Sequence, residues 1–156
     1  MAENLKSTTV PESLRRWFVV HFAVDMLFAL PMMIAPVWLL GLFGWKEIDP
    51  FMTRLAAAAL LGIGVESLLG RKAGAESYRS LLTLKIIWSL GAVVGAVWTL
   101  AQYPESPGML WAVLAVFLGF NLVWVYWYRQ LDKFGTINKP QMAPLKKGRE
   151  NDRSLI

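Results

Sequence analysis

Cysteine is absent from this 156-residue chain, and histidine occurs once. No disulfide scaffold, thiolate metal site or cysteine nucleophile is possible. The usual zinc sites, which need several cysteine or histidine ligands, are excluded with them. Charge is scarce as well: Asp, Glu, Lys and Arg make up 17%, against about 25% in an ordinary soluble domain. Apolar residues take their place. They reach 56%, and mean hydropathy is +0.43. That composition excludes disorder over most of the chain and argues against an ordinary soluble fold. The length allows one domain.

Four apolar stretches, residues 17–43, 51–69, 81–101 and 109–128, fill the middle of the chain. A bilayer core about 30 Å thick is crossed by about 20 helical residues rising about 1.5 Å each. Helix is required because every backbone polar group must be bonded within its own segment. The linkers 44–50, 70–80 and 102–108 are short and carry turn residues such as Asp49-Pro50, Gly74 and Pro107-Gly108, so neighbouring spans run antiparallel. The expectation is an all-α integral membrane protein, an up-down four-helix bundle over residues 17–128. A segment 1–16 precedes it and a basic tail 129–156 follows. The first span begins too late and runs too long for a cleavable signal peptide.

Thirteen of the sixteen Lys and Arg residues fall on the side of the termini: Lys6, Arg15, Arg16, Arg71, Lys72, Arg79, Arg129, Lys133, Lys139, Lys146, Lys147, Arg149 and Arg153. Lys46 lies on the other side, with Arg54 just inside the second span. The positive-inside rule then puts both termini in the cytoplasm, with the chain multi-pass in the inner (plasma) membrane. The net charge of +5 is a topology signal, and nucleic acid is not needed to explain it. The tail, with Pro140 and Pro144, is expected to be mobile and to reach anionic headgroups.

Small residues four apart let helix backbones approach closely. Gly91-Ala-Val-Val-Gly95 in the third span and Ala58 with Gly62 in the second have this spacing. They predict contact between those two spans, with a homodimer face as the alternative. Pro31 and Pro36 each remove a backbone hydrogen bond, which predicts a kink late in the first span. Aromatics gather at span ends: Trp17, Phe18, Trp124, Tyr126, Trp127 and Tyr128 at one face, Trp45 and Trp111 at the other. They read as the aromatic belt of a membrane protein.

The informative residues are the ionisable ones inside the spans. A charge at mid-membrane costs at least ~2.5 kcal/mol, so such groups turn inward and pair. His21 and Asp25 lie in the first span, Glu66 in the second, Lys85 in the third, and Asn121 adds an amide in the fourth. All five fall in the half nearer the termini. Asp25 is deepest, roughly 12 Å in, and shares a helix face with His21. Two readings stand. In one, Glu66 pairs with Lys85, Asp25 bonds His21 or Asn121, and the cluster sets helix register. In the other, His21, Asp25, Glu66, Lys85 and Asn121 line a cytoplasm-facing pocket for a small ligand or a proton. Arg54 is too far along the axis to meet Glu66, and Asp49 or Glu47 is its expected partner.

Specific chemistry is sparse. Gly62-Ile-Gly64 lies within an apolar span and follows no strand, so it is no dinucleotide fingerprint. No nucleophile–base–acid set is legible and no metal site is expected. His21 could ligate a haem or a chlorophyll magnesium, but a lone histidine near a carboxylate is more often a satisfied polar contact, and the cofactor is left open.

Pro36, Leu40-Gly41, Asp49-Pro50, Arg54 and Gly62-x-Gly64 resemble the pattern of small bacterial four-helix membrane proteins of the DoxX-like kind, over about a third of the chain. The resemblance implies a compact bundle and little about activity. The polar cluster is also similar in general arrangement to the sterol-isomerase and sigma-two-receptor group, whose bundles hold acidic residues for cationic ligands. The expected role is non-enzymatic: accessory subunit of a membrane complex, or binder of a small amphipathic ligand. The alternatives are a proton-coupled or multidrug-type carrier working as a dimer, and an isomerase-like enzyme using Asp25 and Glu66 as acid and base with His21 assisting. The expected partners are the lipid bilayer and a second copy or a larger membrane complex.

Overall fold

The structure is a computed structural model that describes residues 10–137. Lys6 and the tail beyond residue 137, with its prolines and five of its basic residues, lie outside the described residues. Among those described, the chain is helical and has no strand. Five helices follow in order: α1 (Glu12–Ile34), α2 (Pro36–Leu42), α3 (Pro50–Gly70), α4 (Ala75–Gln102) and α5 (Met109–Ile137). The four long ones are each apolar enough to cross a membrane. Large apolar side chains stand exposed along them, including Leu27, Ile34, Leu55, Leu69, Ile87, Trp98 and Leu122. A helix apolar all round needs an apolar surrounding, so the four point to a multi-pass membrane protein.

The helices overrun the expected spans. α1 begins at Glu12, α4 at Ala75, and α5 continues to Ile137. The first span is broken rather than only kinked. Pro31 is tolerated inside α1, but Ala35 leaves helical geometry (φ −134°, ψ 62°) and Pro36 opens α2. Pro36 has no N–H to continue the ladder and restricts the residue before it. The break leaves carbonyls at the end of α1 without helical donors. Arg54 Nε donates to one of them, Met33 O, at 3.1 Å, and its charge suits a helix C-terminus. The expected partner Asp49 is used elsewhere: its carboxylate caps α3, accepting from Phe51 N at 2.8 Å and Met52 N at 3.1 Å. α2 ends in a Schellman motif, with Trp45 N donating to Leu40 O and Gly44 N to Gly41 O. Gly44 supplies the positive φ of 92° that the motif requires.

Packing follows a different pairing from the one expected. α1 lies along α3 and α4 along α5, whereas α3 and α4 touch only lightly. The buried stripe of α3 is Thr53, Ala57, Gly64 and Ser67, all small, and α1 presses Leu14, Phe18, His21, Asp25 and Ala29 toward the interior. At Gly64 the approach is close enough that a Cβ would stand 2.8 Å from Asp25 Cβ. Gly62, Gly91 and Gly95 have nothing near where a Cβ would be. The GxxxG spacing of α4 therefore faces away from α3, and Gly64 rather than Gly62 carries the close helix contact.

One end of the molecule, where α1 and α4 begin and α5 ends, is filled by a cluster of Val10, Leu14, Phe18, Tyr78, Leu82, Trp124 and Leu131. Phe18 and Trp124 were expected at an interface. Both are fully buried, because α1 and α5 turn these faces inward onto Tyr78 and Lys85. Tyr78 donates its hydroxyl to Arg71 O at 2.7 Å, which fastens the α3–α4 turn to the cluster.

Candidate functional site

The interior polar residues begin just beyond this cluster. His21 and Asp25, one turn apart on α1, are both almost fully buried. His21 Nδ1 stands 2.9 Å from Asp25 Oδ2. The approach is close but misaligned for a hydrogen bond, and neither atom has another such partner among the described residues. The imidazole is held edge-on between Phe120 and Trp124, with ring centroids at 4.8 and 5.1 Å. Asp25, one of the groups expected to turn inward, does so, beside His21 on the same helix face.

Lys85 on α4 is 1% exposed. A buried ammonium needs compensation for its lost water. The expected pairing with Glu66 is not made: the Lys85 ammonium and the Glu66 carboxylate form no ion pair. Instead Lys85 Nζ donates to Ser67 Oγ on α3, and the Ser67 hydroxyl in turn donates to Ile63 O at 2.7 Å. The ammonium also lies 5.0 Å from the Phe18 ring centre and 5.6 Å from that of Trp124, within cation–π reach. Glu66 is only half-buried, one helical step away from the lining, because Ser67 and not Glu66 occupies the inward stripe of α3. Asn121 does not meet Asp25. Its amide donates to Ile86 O at 3.1 Å and Ser89 Oγ at 2.9 Å, tying α5 to α4.

Two spaces adjoin Asp25. A small chamber of about 30 Å3 is bounded by His21, Asp25, Lys85, Trp88 and Ser89 with apolar neighbours. It is about the room of one water molecule. A larger cavity of about 300 Å3 continues from it toward the α1–α2 break, walled by Phe28, Met32, Leu40, Phe43, Trp45, Leu60, Val113, Val116 and Phe117. Asp25 and Trp88 line both spaces. Trp88 Nε1 is a buried donor without a partner among the described residues. The cavity is thus almost wholly apolar, with Asp25 and Trp88 at its inner end where it adjoins the polar chamber, and an apolar enclosure with a few polar groups beside it suits a small molecule. Its direction is opposite to the expected one. Toward the termini the route is closed by Phe18, Tyr78, Leu82 and Trp124, and the space lies at the far end.

Of the five candidate residues, His21, Asp25 and Lys85 are brought together at the chamber. Asn121 stands behind it and Glu66 stands outside, so Asp25 and Glu66 do not face each other across one space. Trp88, Ser67 and Ser89 belong to the constellation and carried no signal as site residues. The one hint was helical register: Lys85, Trp88 and Ser89 share a face at spacings of three and four. No known protein family, no characterised protein and no solved structure matches the chain.

Proposed function

We propose that this chain is an up-down four-helix bundle of the inner (plasma) membrane, with both termini cytoplasmic, that binds one small amphipathic molecule. The fold proposed is that of the DoxX-like group. The ligand's apolar body occupies the cavity between α1, α2 and α5, and its polar end meets Asp25 and Trp88. One observation carries the reading. A cavity of about 300 Å3 with almost wholly apolar walls has Asp25 and Trp88 at its inner end, and Asp25 Oδ2 and Trp88 Nε1 are buried without hydrogen-bond partners among the described residues. In a bundle serving only as a spacer, such a cavity forfeits packing contacts and such a donor costs about 1–3 kcal/mol unpaired. With the termini cytoplasmic, the cavity lies in the outer half of the membrane.

Native mass spectrometry of gently solubilised full-length protein tests the reading. The expected result is a retained small molecule, lost or weakened in Asp25→Asn, with the thermal transition in detergent nearly unchanged because asparagine keeps the shape of aspartate. A large fall in that transition with no change in any bound molecule would make Asp25 structural. A stable large partner with an empty cavity would favour an accessory subunit. Orientation is checked by single cysteines, introduced at Glu105 and at Lys146 in this cysteine-free chain. Membrane-impermeant reagent applied from outside is expected to label the first and spare the second.

A further inference from the structure

A second site lies at the end carrying the termini, away from the cavity. Arg15 and Arg16 in the first turns of α1 face Arg71 and Lys72 in the α3–α4 turn across a cleft of about 290 Å3. The only carboxylate in its lining is Glu12, which stands 3.7 Å from Arg16 at an exposed edge. Among the described residues Arg15, Arg71 and Lys72 have no ion-pair partner. Four cations converge from two separate segments, and like charges brought together cost free energy unless an anion sits between them. The geometry is held: Arg71 O accepts from the buried Tyr78 hydroxyl, and Ala73 N donates to Gly70 O at 2.9 Å. The remaining wall is Val19, with exposed Val20 next to it.

We infer that this cleft binds the phosphate of an anionic lipid. The basic groups hold the headgroup while an acyl chain runs along the apolar flank of α1 at Val19. Arginine suits the task, since its planar fork meets phosphate oxygens in pairs. The apolar wall beside the cations selects a phosphate carried on a lipid over one free in solution. The inference shares only the membrane setting with the proposed cavity ligand and does not depend on it.

The test uses full-length protein in neutral detergent, with phosphatidylglycerol or phosphatidylcholine added, read by native mass spectrometry and thermal shift. Phosphatidylglycerol is expected to bind preferentially and to raise the melting temperature. Arg15→Gln with Arg71→Gln is expected to weaken it about twenty-five-fold, at about fivefold for each basic group near an anionic headgroup. The pair Arg15→Lys and Arg71→Lys retains most of the binding, which separates loss of charge from loss of fold. Lys133→Gln, an exposed change outside the cleft, leaves binding intact. Equal binding of the two lipids would overturn the inference, and so would an equal loss with Lys133→Gln, which would mean diffuse attraction. Inorganic phosphate alone giving the same shift and displacing the lipid would make the occupant a soluble anion. Loss of cavity ligand in Asp25→Asn with lipid binding intact would show the two sites to be separate.

Discussion

The two ends of the molecule are built from similar residues and arrive at opposite results. At the end carrying the termini, Phe18, Tyr78, Leu82 and Trp124 meet in a closed cluster, and a buried lysine is stabilised within it. At the other end, Phe28, Phe43, Trp45 and Phe117 surround a space. Aromatic content does not decide which end is filled. The difference comes from the backbone. α1 stays regular through Asp25 and presses onto the small residues of α3, then breaks at Ala35. α2 leaves in a new direction and the walls no longer converge. One end spends its apolar residues on packing and the other on an enclosure.

The sharpest test of this contrast is Trp124→Ala. It empties the centre of the closed end and removes one ring from Lys85 and from His21. A loss of about 3–5 kcal/mol is expected, measured by thermal or denaturant unfolding in detergent. A change as small as one at the cavity wall would mean that the two ends do not differ.

Gly64→Ala comes next. The added methyl would stand 2.8 Å from Asp25 Cβ, so α1 and α3 must part, at a cost of about 1–3 kcal/mol. Gly91→Ala and Gly95→Ala meet open space, and each is expected to be neutral or to gain up to about 1 kcal/mol through helix propensity. The same unfolding assay compares them. A penalty at Gly95 matching that at Gly64 would mean that the α4 stripe is buried in a contact with another chain.

Val113→Phe gives the smallest expected change in stability, below about 1 kcal/mol, because the added ring enters existing space rather than displacing neighbours. It should nonetheless abolish retention of a cavity ligand in native mass spectrometry. A destabilisation like that of Trp124→Ala would show that the far end is packed after all.

Much of the fold was legible before any coordinates. Runs of about 20 apolar residues leave helix as the available structure, since no other open chain bonds its own backbone within the segment. The i, i+4 spacing of His21 and Asp25 put them on one face, and their scarcity among apolar neighbours marked them as interior. Pro31 and Pro36 announced a kink late in the first span, which the structure shows as a break at Ala35. These are local properties, set by spacing along the chain and by what each residue can bond.

Which helix meets which face of its neighbour was not legible. Every long helix here is apolar on nearly all sides, so hydrophobicity does not label an inward face. α3 is rotated so that Ser67 is buried and Glu66 stands at the rim, with Gly64 pressed close against Asp25. That rotation gave Lys85 a serine and two aromatic rings in place of a carboxylate. α4, packed along α5, turns its GxxxG outward and brings Trp88 beside Asp25 at the inner end of a cavity. The sequence by itself determined the helices, their breaks and the residues that must be sheltered from an apolar surrounding. Only the tertiary structure decided which of them face one another, because close packing between uniformly apolar surfaces is settled by shape.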